Sequence, residues 1–181
     1  MTVDYAANCI PLLIQQNVDG SDFFNRSWEE FKVGFNDTRG NYWLGNDLLS
    51  QLTQNGHYRL RFDLLERGSP INRWHYPEYS SFVVSSEASN YRLKVTGYQF
   101  SGHNDDTRDA FYHYHNAMFS TYDRDNDQSS DNCAVLNGGG FWYNNCNSVG
   151  VNAARDFTWR WRPPVYGLNL QATRMWLLCW I

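Results

Sequence analysis

The sequence lacks a long apolar run and a run of basic residues. No stretch of its 181 residues approaches the roughly 20 apolar residues that a helix needs to cross a bilayer, so no membrane-spanning helix is expected. Lysine and arginine total 15 against 19 aspartates and glutamates, and the resulting net charge of −4 carries no clustered cations. A nucleic-acid partner, which calls for a basic patch or stripe, is therefore not expected. The one cationic triplet, Arg160-Trp161-Arg162, reads as a strand with polar outer positions. Signatures of catalysis are missing too. Gly138-Gly139-Gly140 is not followed by the Lys and Ser/Thr of a phosphate cradle, and Ser120 has no flanking glycines of a nucleophile elbow. His113 and His115 stand two apart without a nearby Cys or third His, which favours a structural role over a zinc pair. Met1 to Ile14 has neither a basic leader nor an adequate apolar core, so it is not expected to act as a signal peptide. No internal repeat or low-complexity linker divides the chain, so one globular domain is expected.

Aromatic residues are plentiful. They make up 17% of the chain, with eight Trp and twelve Tyr, so ring packing must supply much of the core and the polar ring edges need hydrogen-bond partners. Four cysteines, Cys9, Cys133, Cys146 and Cys179, permit two disulfides in three connectivities. Cys9 and Cys179 sit near the two ends; a bridge between the first and last strands is one reading, and two unrelated thiols is the reading we favour. Asn25-Arg26-Ser27 and Asn36-Asp37-Thr38 are possible N-glycosylation sites, which agrees with an extracellular setting.

Periodicity places the first elements. Ser27 and Glu30 form a capping box for a helix from Ser27 to Phe35, with Trp28, Phe31 and Phe35 on its apolar face. Asn46-Asp47 can cap a second helix to about Gln54, ended by Gly56, with Leu48, Leu49 and Leu52 as its buried stripe. Tyr58, Leu60, Phe62 and Leu64 alternate with charged residues as a half-buried strand requires, and Tyr91, Leu93 and Val95 do the same. Phe82 to Val84 is a further strand candidate, and Leu168, Leu170 and Met175 to Leu178 suggest closing strands. From about Gly97 to Val165 regular patterning fades, and a loop region this long inside a compact domain must be held by other means.

Two features in that region carry chemistry. The run from Asp123 to Asp131 spaces carboxylates so that a turning loop can point them at one centre. Calcium takes six to eight hard oxygens, and Asp125 with Asp127 is the natural carboxylate pair, with a backbone carbonyl near Ser129 and the Asp131 region to complete the set. The EF-hand glycine and glutamate are absent, and an acidic turn in solvent is an equal reading of this run alone. Cys133 and Cys146 stand with twelve residues between them. Either they are buried thiols or they bridge, and the three intervening glycines favour a bridge.

Phe119 to Asp127, Asn132-Cys133-Ala134 and Gly140 to Cys146 together resemble the fibrinogen C-terminal domain family, which includes fibrinogen chains, ficolins, tachylectins, angiopoietins and tenascins. Asp19-Gly20-Ser21, Trp28 to Phe35, Tyr42 to Asp47, Tyr58 to Asp63 and Tyr91-Arg92-Leu93 follow the family's order upstream, and Trp159-Arg160-Trp161, Tyr166-Gly167-Leu168 and Thr173-Arg174-Met175 follow it downstream. The resemblance covers Leu12 to Leu178. It implies calcium carboxylates at Asp125 and Asp127, carbonyl ligands at Ser129 and Asp131, outer support from Asp123, and a disulfide between Cys133 and Cys146.

The departures from the family pattern are specific. Residues 1–11 form an extension outside it, and 12–181 form the domain without most of its N-terminal subdomain. Asn147 stands where ligand-binding members often carry His, Val151-Asn152-Ala153 replaces Leu-Asn-Gly, the next loop is shortened between Ala154 and Phe157, and Leu136 and Asn137 occupy polar pocket positions. The ligand pocket, mapped to Asn137, Trp142, Tyr143, Asn145 and Asn147, is thus altered. The expected fold is α+β, a twisted antiparallel sheet flanked by short helices with a loop-rich calcium-binding subdomain. The expected function is secreted, calcium-dependent recognition of acetylated or anionic glycans in innate immunity, with a protein-binding module of matrix, adhesion or clotting as the alternative. Homo-oligomers are compatible with both.

Overall fold

The computed structural model describes residues 10–54, 58–68, 70–99, 108–146, 149–155, 157–162 and 166–179. Nine strands and three α-helices appear among them. The strands are β1 (Leu12–Asn17), β2 (Phe35–Asn36), β3 (Tyr42–Trp43), β4 (Tyr58–Glu66), β5 (Arg73–His75), β6 (Glu78–Val84), β7 (Leu93–Gln99), β8 (Thr158–Arg162) and β9 (Tyr166–Cys179). The helices are α1 (Trp28–Val33), α2 (Asn46–Thr53) and α3 (Cys133–Asn137). The antiparallel sheet runs β2-β3-β1-β9-β4-β6-β7, with β5 added to β4 and β8 to β9.

β9 organises the sheet. Leu168, Leu170, Thr173, Met175 and Leu177 turn inward, and Arg174 and Trp176 stay partly exposed, so one long strand, whose alternation shifts phase at the irregularity by Gln171 and Ala172, stands where closing strands were expected. Met175 pairs with Phe62, and Leu177 with Leu60 and Leu12. β1 gave no strand signal because its inward positions include polar residues. A bulge between Leu13 and Gln15 lets Ile14 and Gln15 both face the interior. Buried Gln15 Nε2 donates to Asn152 Oδ1 and Thr173 Oγ1, and Asn17 Nδ2 donates to the Val151 carbonyl.

The α1 capping box forms as expected: the Glu30 N–H donates to Ser27 Oγ and the Ser27 N–H to Glu30 Oε2. Gly34, at φ +94°, ends the helix, and a Cβ there would sit 2.6 Å from the Leu44 carbonyl oxygen. Phe35 therefore opens β2 instead of continuing the helix. α2 begins after Gly45, and Asn46 is buried with Oδ1 accepting from Trp43 Nε1, so the helix start is not the Asn-Asp cap anticipated. Leu49 is buried, but Leu48 is 43% exposed, which removes it from the expected stripe; Gly56 lies outside the described residues. Tyr91, expected inside a strand, has φ +48° and precedes β7 in a turn, with its ring fully buried.

The core is an aromatic array that joins the regular half to the irregular half. Phe31 packs on Trp43 (5.4 Å between centroids), Trp43 on Trp142 (5.9 Å) and Trp142 on Phe119 (5.1 Å). Offset and edge contacts of this kind add to area burial. The ring edges are satisfied: Trp142 Nε1 donates to the Tyr91 carbonyl at 2.7 Å.

The β2–β3 turn is built on Asp37. Its carboxylate accepts from the backbone N–H groups of Arg39 and Asn41, from Asn41 Nδ2 and from Arg39 Nε. Partial burial acts to raise this carboxyl, but the donors of Asn41 and then Arg39 outweigh it and hold it at about 2, below its ordinary value of 3.8. A carboxyl that is more acidic folded than unfolded contributes stability above the unfolded value, and that contribution is lost as pH falls toward the folded one. Asp37→Asn should therefore flatten the loss of thermal stability between about pH 4 and pH 2, measured as Tm against pH, and leave the neutral-to-basic limb unchanged in shape.

Candidate functional site

The acidic run lies in an irregular segment whose two ends are fixed to helices. An isolated bridge joins Ser120 to Phe141, and another closes the turn from Thr121 to Arg124. Asp123 Oδ1 accepts from the backbone N–H of Trp28 at 2.9 Å and from Thr121 Oγ1 at 2.7 Å. Trp28 is the first residue of α1, whose N–H has no partner within the helix, so the carboxylate satisfies an orphan donor and complements the helix dipole. Arg124 reinforces the junction. Its guanidinium lies 3.9 Å from the Trp28 ring centroid and Nη2 donates to Asn90 Oδ1. Glu87 completes it by accepting from Trp28 Nε1 at 2.8 Å and pairing with Lys32 at 2.7 Å.

Asp127 fixes the other end. Its Oδ2 accepts from the Cys133 N–H at the start of α3, and its Oδ1 accepts from the Ser129 N–H, both at 2.9 Å. Asp125 Oδ1 accepts from the Asp127 N–H at 3.2 Å, and the Asp131 N–H donates to Ser129 Oγ at 3.2 Å. Asp125 and Asp131 are exposed. Asn126 anchors the middle of the loop, donating through Nδ2 to the Phe119 carbonyl while its N–H donates to Ser120 Oγ. Burial pushes the Asp127 carboxyl up, the N–H donors of Cys133 and Ser129 oppose this, and the adjacent Asp125 charge pushes it further up.

These residues fit a hard cation. Among the described residues no three His, Cys, Asp or Glu side chains converge, so an ion here would rest on the Asp125 and Asp127 carboxylates together with neutral oxygens. Calcium accepts that mixture, whereas a closed zinc site requires nitrogen or sulfur ligands. A divalent charge would also offset the burial and repulsion that disfavour ionised Asp127. Asp123 is not turned toward such an ion through Oδ1, which is held by α1.

Cys133 and Cys146 are bridged, with thirteen residues of sequence separation. Cys179 is also disulfide-bonded, which corrects the expectation of an unrelated thiol; Cys9 lies outside the described residues. Of the positions mapped to a ligand pocket, Asn137, Trp142 and Tyr143 are buried, and their polar groups are satisfied inside the fold. Asn137 Nδ2 donates to the Cys133 and Cys146 carbonyls, and Tyr143 Oη donates to the Gly139 carbonyl. Asn145 is exposed, with Oδ1 accepting from the Cys146 N–H, and Asn147 lies outside the described residues. Asn25 and Asn36, the possible glycosylation sites, are both exposed. His115 Nδ1 lies 2.8 Å from the Val95 carbonyl oxygen, and His113 packs against the Tyr112 ring, so both histidines have structural contacts.

Sequence reasoning missed Arg124, Glu87, Asn126 and Asn132 as supports of the loop. Asn132 alone left a trace: it stands directly before α3 and caps it by accepting from the Val135 N–H.

Two outcomes follow for stability. Asp123→Ala leaves the Trp28 N–H without its charged acceptor and should cost about 1–3 kcal/mol in chemical denaturation, with red-shifted Trp emission as the Trp28 ring becomes wetter. Replacing Cys133 and Cys146 together by Ala removes the cross-link on a short loop and should cost about 3 kcal/mol.

The geometry can be set against known proteins. The family described as "Fibrinogen beta and gamma chains, C-terminal globular domain" matches residues 6–164. The human (Homo sapiens) fibrinogen alpha chain is 44% identical over 152 residues, which are 78% of this chain and 17% of that one. Mouse (Mus musculus) tenascin is 36% identical over 166 residues, 87% of this chain and 7% of that one. Bovine (Bos taurus) angiopoietin-related protein 7 is 39% identical over 140 residues, 77% of this chain and 38% of that one. This chain thus spans well under half the length of each of these relatives. Among solved structures, the fibrinogen-like globe domain of human ANGPTL2 superposes with a TM-score of 0.76 at 30% identity, covering 93% of this chain and 80% of that one. The lamprey fibrin D-dimer, in complex with the peptide Gly-His-Arg-Pro-amide, superposes with a TM-score of 0.70 at 29% identity, covering 92% and 60%. The fold is thus the fibrinogen-like globe, and this chain belongs to the family of the fibrinogen C-terminal globular domain.

Proposed function

We propose that this chain is an extracellular recognition module that binds protein ligands, with a structural calcium ion on the loop from Asp125 to Asp131. What carries the first part is the company the chain keeps: fibrinogen alpha chain, tenascin and angiopoietin-related proteins, which work outside the cell, with no enzyme family among them. The lamprey structure supports a protein ligand, since that protein holds a peptide. The disulfide-bonded cysteines and the exposed Asn25 and Asn36 agree with an oxidising, glycosylating compartment. The paired carboxylates of Asp125 and Asp127 support calcium, which would stiffen the loop and shape its outer surface.

Glycan recognition ranks second. Asn137, Trp142 and Tyr143, which would have to reach a sugar, are buried and hydrogen-bonded to the backbone, leaving Asn145 as the exposed candidate among the described residues.

The metal and the ligand class are tested separately. Asp125→Ala and Asp127→Ala should each abolish tight calcium binding in calorimetry and remove the rise in Tm that calcium produces; unchanged affinity in both would reject the site. The domain, presented in calcium to arrays of matrix and plasma proteins and of acetylated and anionic glycans, is expected to bind on the protein array. Calcium-dependent binding to acetylated sugars alone would reverse the order of the two readings.

A further inference from the structure

The outer face of the sheet carries a modification motif at its edge. Strand pairing sets Asn36 on β2 across from Tyr42 on β3, Tyr42 across from Gln16 on β1, and Gln16 across from Arg174 on β9. Residues directly opposite on paired strands share a face. The chain neighbours of this row, Gln15, Trp43, Thr173 and Met175, are buried, so the row itself faces away from the core. A side-chain contact agrees: Arg174 Nε donates to Gln16 Oε1 at 2.7 Å. Adjacent strands lie about 4.8 Å apart, so the row from Asn36 to Arg174 is about 14 Å long, within reach of a few linked sugars.

The attachment point is braced and open. Besides the Asp37 carboxylate, the turn between β2 and β3 is held by Gln16 Nε2, which donates to the Gly40 carbonyl at 2.7 Å, and by the Arg39–Asp19 ion pair at 2.9 Å. In the motif Asn36-Asp37-Thr38, the acceptor Asn36 and the hydroxyl residue Thr38 are both exposed. The motif at Asn25 differs, because its hydroxyl, Ser27 Oγ, is committed to Glu30 in the α1 capping box. Tyr42 is half-buried and is the first side chain beside Asn36 on the outer face. An aromatic body with a polar tip suits a surface that is partly covered and partly wet.

We propose that Asn36 carries an N-linked glycan whose first sugars lie over Tyr42 on the outer face of the sheet. The inference rests on the extracellular reading. In the modification, Asn36 Nδ2 bonds to the anomeric carbon of a lipid-diphosphate-linked oligosaccharide and loses one amide proton, and the lipid diphosphate leaves from that carbon. The C–H face of the first sugar would pack on the Tyr42 ring. β2 ends the sheet order on this side, and a bulky polar group there would keep a second chain from pairing with the edge. The irregular half packs on the opposite face, through Trp43 against Trp142, so the glycan would leave the aspartate loop open to a ligand.

The test secretes the whole chain from cultured animal cells behind a cleavable leader and weighs its peptides by mass spectrometry. Asn36 is expected to carry an oligosaccharide that is lost in Asn36→Gln and in Thr38→Ala. Hydroxyl-radical footprinting should label Tyr42 less in the glycosylated chain than in either variant, with Tyr122, 46% exposed at the aspartate loop, labelled equally in all. The glycosylated chain should melt about 2–4 °C above Thr38→Ala, and Tyr42→Ala should remove that difference. Thr38→Ala leaves Asn36 in place and decides the matter if Asn36→Gln misfolds. A secreted chain with Cys133 and Cys146 bridged and Asn36 unmodified would overturn the proposal and leave the extracellular reading standing; a chain retained in the cell with both thiols reduced would overturn both. A glycan on Asn36 that changes neither Tyr42 labelling nor Tm would overturn its placement on the sheet.

Discussion

A buried chain that is neither helix nor strand must still find a partner for every backbone N–H and carbonyl, and this constraint shapes the whole second half of the molecule. Side-chain amides meet it. Asn126 serves the Phe119 carbonyl, Asn132 the Thr121 carbonyl, Asn137 the Cys133 and Cys146 carbonyls, and Asn152 the Gly140 carbonyl. Gln15 and Asn17 do the same work from inside β1, both reaching the Val151 carbonyl. The asparagine richness that blurs the sequence pattern is thus the means by which the irregular half is held. The aromatic array supplies the burial, and the amides fix the path of the chain across it.

The aspartate loop is an extension of the same device. Asp123 and Asp127 each satisfy the first N–H of a helix, α1 and α3, and so tie the loop to two elements of the core. The carboxylates that would hold an ion are therefore positioned by the polypeptide, with the disulfide closing the far side. In this arrangement a calcium ion would add stiffness and charge balance to a loop whose course is already set. The altered neighbourhood fits the ranking of protein ligands over glycans, because Trp142 and Tyr143 serve the core and not a pocket wall.

The capping box of α1 and the alternation of β4 were legible because local rules and burial agree there. Leu60, Phe62 and Leu64 are all fully buried, as their spacing requires. β1 was invisible because Gln15 and Asn17 face inward, against the ordinary polarity of a strand. Leu48 was misplaced because α2 starts after Gly45, and the rotation of the helix about its axis depends on that start. Tyr91 was misread because a left-handed turn places it in the core without strand geometry, which residue type alone does not signal. At the candidate site the Asp-x-Asp spacing was readable but ambiguous, and the ordered motifs around it gave it meaning. Its supports, Arg124 and Glu87, come together only through the fold.

Residue-resolved hydrogen exchange, run with calcium and with a calcium chelator, measures most directly whether the chain itself builds the loop. If it does, the Trp28 and Cys133 amides stay protected in chelator, far above an exposed turn, and the Ser129 and Cys133 amides gain further protection when calcium is added. Exchange of the Trp28 and Cys133 amides at open-chain rates in chelator, in a domain that otherwise remains folded, would contradict it and would make the ion the builder of the loop.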